Sequence, residues 1–356
     1  MNTERPRQCV TVWRMCWAWI FTIAMAGSLA PIASAGAPVL QPQKLIELPW
    51  GKGLGQLGIR AARTASGQTQ YVTPSDFDAD RKGNLYIADP VNRRVVILAA
   101  AGQWQTMIPI PFDRAGSAFL AVGSDGGRIL TSQPSSPFAF CEYDRQGKRV
   151  GCTRLPPNYV YRTLARPIGI SSAGTIYALA FHPSGEQHDS LFEFHDALSP
   201  PRTIITTKGR AQTLRGPFLR DFRVWEETVL VAMAQKDGDD VWHGKYVQIR
   251  PAQQAIEYFV PESATGRLVG LIGNQVAAFP GDLNMEGPAE LELTILAENG
   301  AKTTAKYILP YPSADIYSDS DGTKLVFRMI ARTRFMAMAA TKSGVLMAEY
   351  SLPSSP

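Results

Sequence analysis

The chain has 356 residues and a formal charge of +5, from 36 Lys and Arg against 31 Asp and Glu, and 45% of it is hydrophobic. That balance excludes a disordered chain, which would combine low hydrophobicity with a large net charge. With 30 Gly and 26 Pro, the composition fits a turn-rich fold and excludes a collagen-like or linker-dominated one.

The first 35 residues read as a secretory signal. Arg5, Arg7 and Arg14 give a basic start, Met15 to Leu29 is an apolar run, and Ala33-Ser34-Ala35 supplies the small residues of a cleavage site, with cleavage expected after Ala35. A membrane anchor would need about 20 apolar residues, and Pro31 and Ser34 come too soon. No Arg-Arg pair marks a twin-arginine route, and Cys9 and Cys16 are not placed for lipidation at the cleavage point. Cleavage takes three Arg and one Glu with it, leaving 33 basic against 30 acidic residues, so charge gives no reason to expect nucleic acid or an anionic membrane as partner. No later segment reaches a membrane-spanning length. The expected location is the periplasm or the outside of the cell.

Downstream of Lys44-Leu-Ile-Glu-Leu-Pro49, itself strand-like, the clearest local pattern is the segment from Pro74 to Leu98. It reads as a strand, a polar turn at Gly83-Asn84, a second strand, a turn at Pro90-Val91 and a third strand, with no helical periodicity. The same grammar returns around Gly126 and Gly174, and in weaker form around Glu227, Gly273 and Gly322, at intervals of 43 to 53 residues. Each unit carries a further strand-like run: Arg94–Leu98, Ala139–Tyr143, Ser190–Phe194, Lys245–Ile249, Leu291–Leu296 and Phe335–Ala340. Six units of about four short strands at this period specify an all-β, six-bladed β-propeller spanning residues 36–356. Gly344 to Leu352 is a final strand, and Lys44–Pro49 is expected to join its blade and close the ring. Two stacked β-sandwiches are the competing all-β layout, but they leave the even spacing of the turns unexplained.

Asp80, Gly83-Asn84, Tyr86, Asp89, Asn92, Arg94 and Val95 together resemble an NHL repeat, the blade motif of a family of six-bladed propellers. The resemblance is good over this unit, fair over two or three more, and eroded in units four to six. It implies the fold more strongly than any activity, because such folds carry unrelated functions.

Cys141 and Cys152 are the cysteines left after cleavage, and their midpoint falls in the polar turn at Gln146-Gly147. A hairpin with a four-residue loop, Arg145 to Lys148, sets them opposite each other at a non-hydrogen-bonded position, where a disulfide can form. A pair of buried reduced thiols is the alternative.

Candidate chemistry is sparse. Asp89, Asn92 and Arg94 suit a structural turn, since Asp and Asn accept backbone N–H groups and Arg can pair with the Asp. His182 and His188, with Glu186 or Asp189, invite comparison with a zinc site, but their spacing is not a standard one, and solvent-exposed loop histidines explain them as well as they explain His195. No serine-hydrolase context, phosphate-cradling loop, dinucleotide fingerprint or Cys-x-x-Cys pair is present, and no cofactor is implied. Alignment of the units places Arg166, Arg220 and Arg267 just ahead of three innermost strands, with Asp315 at the same place in the sixth unit. There they would ring one mouth of the channel, with Tyr161 and Trp225 as apolar walls, and select a small anionic ligand. The expected role is a binding or scaffolding module for such a ligand or a protein partner. A propeller hydrolase or lyase working at the channel is the alternative, and a subunit of a larger exported complex, with contacts at 57–73 and 202–219, is a third.

Overall fold

The computed structural model describes residues 38–63, 67, 69–112, 118–133, 139–155, 167–181, 189–206, 218–236, 242–250, 256–260, 267–272, 275–279, 290–296, 303–310, 316–317 and 325–352. No helix of the described residues is long and apolar enough to cross a membrane.

Six antiparallel sheets form a six-bladed propeller. From the innermost strand outward, blade 1 is Phe77–Ala79, Leu85–Asp89, Arg94–Leu98 and Trp104–Pro109, and blade 2 is Phe119–Val122, Arg128–Gln133, Ala139–Asp144 and Arg149–Arg154. Blade 3 is Ile168–Ile170, Ile176–Ala180, Ser190–Phe194 and Arg202–Thr206, and blade 4 is Phe218–Trp225, Thr228–Lys236, Trp242–Ile249 and Ile256–Val260. Blade 5 is Arg267–Ile272, Gln275–Phe279, Glu290–Leu296 and Thr303–Pro310. Blade 6 is Leu325–Ala331, Arg334–Thr341, Gly344–Ser351 and, as its outermost strand, Lys44–Pro49, which pairs with Gly344–Ser351 from Lys44↔Glu349 to Pro49↔Gly344. Both ends of the described chain therefore share one blade.

The core is divided among the spaces between blades. One cluster joins Tyr86 and Val95 of blade 1 to Leu120 and Ile129 of blade 2. A second joins Leu130 and Phe140 of blade 2 to Ile176 and Phe194 of blade 3, and Phe140 meets Phe194 edge to face at 5.2 Å. Further clusters join blades 3 and 4, 4 and 5, and 5 and 6. The last sets Met336 and Met347 of blade 6 against Phe77 and Ile87 of blade 1. Six interfaces carry six cores, an arrangement that a pair of sandwiches cannot supply. It also explains why Leu85–Asp89, Arg94–Leu98 and Ile176–Ala180 are buried at every position, since a middle strand has a neighbouring blade on each face.

Gly83, Gly126 and Gly174 sit in the turns between first and second strands with φ of 78°, 71° and 88°, as their spacing predicts. In blade 4 the turn is Glu226-Glu227, and Glu226 takes the left-handed conformation at φ 52° without being glycine. Gly273, Gly322 and Asp315 lie outside the described residues. One boundary needs correction: the innermost strand of blade 6 is Leu325–Ala331, turning at Arg332-Thr333, so Phe335–Ala340 belongs to its second strand rather than its third. Asp321-Gly322 has the composition of a hairpin turn, whereas the apolar run that pairs with Arg334–Thr341 begins only at Leu325. Ile316–Tyr317 adds a two-residue pairing at Thr341 and Ala340. The segment at 57–73, read above as a contact loop, contains a hairpin of Arg60–Arg63 with Thr69–Val72.

Cys141 and Cys152 face each other in register and are disulfide-bonded, with Cα atoms 4.0 Å apart. The bond ties the outermost strand of blade 2 to its neighbour. Converting both cysteines to serine should cost about 3 kcal/mol by the loop-entropy relation, read as a lower urea midpoint at unchanged slope. No loss would show that the bond constrains nothing.

Asp89, Asn92 and Arg94 are absorbed by the fold. The Asp89 carboxylate accepts from the Gly58 amide at 3.1 Å, Asn92 Nδ2 at 2.8 Å and Arg94 Nε at 3.0 Å. Arg94 also donates to the carbonyls of Lys52, Gly53 and Gln56, which anchors the segment entering from the N-terminal strand. Asp80 does similar work one turn earlier, accepting from the amides of Lys82 and Asn84, both at 2.9 Å, and from Asn84 Nδ2 at 2.8 Å.

Burial, with the Asp80 charge second, pushes the Tyr86 phenol up to about 12. Burial, with Glu193 second, does the same to Tyr177. A phenol with a raised folded pKa stabilises the fold fully below its unfolded value near 10, and that contribution is lost as pH rises through about 12. Thermal stability should therefore fall between about pH 10 and 12, and in folded protein these two tyrosines should give phenolate absorbance only as pH approaches about 12; ionisation of both near pH 10 in folded protein would contradict it.

Candidate functional site

An innermost propeller strand is a sheet edge, and its outward N–H groups need acceptors. Here carboxylates of the preceding blade supply them. Asp76 and Asp78 of blade 1 accept from the Leu120 and Val122 amides of blade 2 at 2.9 and 3.0 Å. Asp189 of blade 3 accepts from Leu219 of blade 4 at 3.1 Å, and Asp221 of blade 4 from Leu268 of blade 5 at 3.3 Å. These acids are matched by two buried arginines. Arg328 of blade 6 pairs with Asp76 across the ring junction, and Arg223 pairs with Asp221 at 2.6 Å within blade 4. Each guanidinium also donates from Nη1 to the carbonyl of the phenylalanine before it, Phe327 or Phe222.

The turns after the innermost strands are joined in series as well. The Arg81 amide donates to the Ser124 carbonyl at 2.8 Å and the Ser172 amide to the Glu226 carbonyl at 3.0 Å. Glu227 accepts from the Ser172 hydroxyl and from the Ala173 amide. All six blades thus present the ends of their innermost strands to one mouth, where a cavity of about 290 Å³ lies on the axis. Its charged lining comprises Arg81, Lys82, Arg223, Arg328, Arg332 and Arg334 against Asp78, Asp80 and Glu226. Arg334 reaches the buried Glu349 at 2.9 Å, and Arg332 lies 3.8 Å from Glu226 with both side chains exposed. Arg81 and Lys82 are exposed and make no ion pair among the described residues. A basic mouth of this kind attracts oxyanions, and its arginine forks can hold them by paired hydrogen bonds.

Of the arginines anticipated from the unit alignment, Arg220 and Arg267 are placed by the backbone. Arg166 and Tyr161 lie outside the described residues. Arg220 occupies the bulge between Leu219 and Asp221, and Arg267 begins the innermost strand of blade 5. Trp225 lines the cavity, but it closes the strand that Arg220 enters, about 16 Å away along five extended residues. Trp225 therefore lies at the other end of the strand from Arg220. The alignment of units misses the cavity residues because it seeks charge ahead of the innermost strands and not after them. A usable signal is present: Asp-Phe recurs at 76–77 and 221–222, and Phe-Arg at 222–223 and 327–328.

His182, His188 and Glu186 lie outside the described residues, and His195 is exposed. Among the described residues no group of three or more His, Cys, Asp or Glu could hold a metal ion.

Solved structures give likenesses at low identity. A member of the DUF4221 family from Bacteroides vulgatus aligns with a TM-score of 0.51 at 10% identity, covering 88% of this chain and 97% of its own. A protein of unknown function from Dyadobacter fermentans gives 0.50 at 12% identity, covering 88% and 100%. The β-propeller domain of Cps50 (Swd1) from Myceliophteria thermophila gives 0.44 at 11% identity, covering 83% and 99%. At such identities the likeness concerns fold alone. No protein-family model matches the sequence, and no curated protein matches it.

Proposed function

We propose that this chain is an exported β-propeller that acts as a binding module and holds a small anionic ligand at the axial mouth. The observation that carries the reading is the lining of that cavity, where six basic side chains stand against three acidic ones. Arg223 and Arg328 form its floor and are pinned by carboxylates, so ligand affinity rests on the exposed Arg81, Lys82 and Arg332. The fold would serve as a rigid frame, resembling NHL-repeat propellers in Asp80, Gly83-Asn84, Tyr86, Asp89, Asn92 and Arg94. Export rests on the leader through Ala35 and accords with the Cys141–Cys152 bond, since disulfides persist in oxidising compartments.

Calorimetric titration with citrate tests the reading. One site should be found, and replacing Arg81, Lys82 and Arg332 together by alanine should weaken it tenfold or more, while Arg220→Ala leaves it unchanged. Equal binding by the triple variant would sink the assignment of the site. Export predicts that protein recovered from outside the cytoplasm has the intact mass of residues 36–356, and a mass including the leader would refute cleavage at Ala35.

A further inference from the structure

The exposed cations of the cavity stand on one side of the axis, and among the described residues the opposite side carries none. The four exposed cations, Arg81, Lys82, Arg332 and Arg334, all come from the adjoining blades 1 and 6. In a ring of six, the blades opposite these are 4 and 3. Those blades contribute Ile170, Val224 and Trp225, each half-buried; Ile170 and Val224 pack in part on the cores between blades 2 and 3 and blades 3 and 4, and Trp225 leans on the core between blades 5 and 6. Among the described residues, blade 3 otherwise adds Ser171 and Ser172 to this wall, and neither carries charge. Arg223, the cation of blade 4, is buried against Asp221. Met329 and Ile330 of blade 6 also line the cavity beside these cations, packed on the cores shared with blades 5 and 1, and Asp78 and Asp80 of blade 1 stand among them.

From this opposition we infer that the ligand is a small amphiphilic oxyanion, with a carboxylate or phosphate head on blades 6 and 1 and an apolar body against blades 3 and 4. This rests on the proposed anion site and adds the class of its ligand. An inorganic anion would leave the apolar wall wetted, whereas an organic body covering it removes that surface from water. Glu226 sets the entry condition. It stands on the blade 4 turn within 3.8 Å of Arg332, and its partner is 82% exposed, so the pair is weak and a ligand head can take the guanidinium from it.

The test is calorimetry on the mature chain with the linear carboxylates from acetate to octanoate, the matching alkylphosphonates, inorganic phosphate, and hexanamide as a neutral control. Affinity should rise about threefold to fourfold per added methylene until the wall is covered. Hexanamide should bind at least tenfold more weakly than hexanoate, and the carboxylate and phosphonate series identify which head is preferred. Glu226→Gln should tighten hexanoate severalfold, and Ile170→Thr should flatten the chain-length dependence. Binding of acetate, hexanoate and phosphate with equal affinity would overturn the amphiphile and leave the anion site standing. Hexanamide binding as well as hexanoate would overturn the role of the head. No binding by any anion, citrate included, would overturn both the inference and the reading beneath it. The chain-length series needs no variant, so a poorly folded Ile170→Thr protein does not weaken the test.

Discussion

Asp76→Ala should be among the most damaging single substitutions in the chain, at about 3–5 kcal/mol, the range for removing one partner of a buried ion pair. Asp76 is 0% exposed, and its carboxylate accepts from the Phe77 and Leu120 amides, both at 2.9 Å, as well as pairing with Arg328. Alanine leaves a guanidinium that is 5% exposed without this counter-charge, and deprives an inner-edge amide of its acceptor. Because the pair joins blade 1 to blade 6, the loss falls on the junction where the ring closes. Asp76→Asn keeps an acceptor oxygen and should cost less. Combining Asp76→Leu with Arg328→Met should recover part of the loss, since a buried pair replaced by apolar groups is often tolerated. Urea unfolding measures all three, and an Asp76→Ala midpoint within error of the parent would refute the structural role of the pair.

Gly126→Val should cost about 2–6 kcal/mol, from roughly 1–3 for a left-handed backbone at a non-glycine residue and about 1–3 for overpacking. Gly126 has φ 71°, and a Cβ there would stand 2.1 Å from the Tyr86 hydroxyl and 3.2 Å from Asp80 Oδ2. Tyr86 cannot give way easily, because it is buried in the core between blades 1 and 2 and its hydroxyl lies 3.3 Å from Asp80. The two contributions can be separated. Adding Tyr86→Phe removes the hydroxyl and should restore the steric part, about 1–3 kcal/mol, but not the backbone part. Strictly additive costs in this double-mutant cycle would show that the close approach is unimportant.

The two substitutions also show what can be read along the chain and what cannot. Gly83, Gly126 and Gly174 are legible because a tight turn imposes a local demand that few residues meet. The same holds for Cys141 and Cys152, where hairpin symmetry fixes the pairing. In blade 4 the turn is met by Glu226 at φ 52°, a solution with no compositional mark. In blade 6 an Asp-Gly pair suggests a turn one strand too early, while the real turn, Arg332-Thr333, contains neither glycine nor asparagine. The site is harder still, because its residues come from six blades and meet only through ring geometry. Arg328 and Asp76 are 252 positions apart, and no local pattern joins them.

The buried ion pairs and the open mouth divide the work of the channel. Arg223 and Arg328, held by carboxylates, fix the inner edges, and Arg81, Lys82 and Arg332 remain at the surface, where the proposed ligand would meet them. Affinity should therefore be separable from stability by substitution. The measurement that bears most directly on this is anomalous diffraction from crystals of the mature chain soaked in 4-iodobenzoate, whose iodine marks the apolar end of an amphiphilic anion. The expected peak lies over Ile170 and Trp225, with the carboxylate density on Arg81, Lys82 or Arg332. An iodine peak at the opposite mouth, beside Arg220 and Arg267, or a channel with no peak while the compound binds in solution, would contradict the assignment.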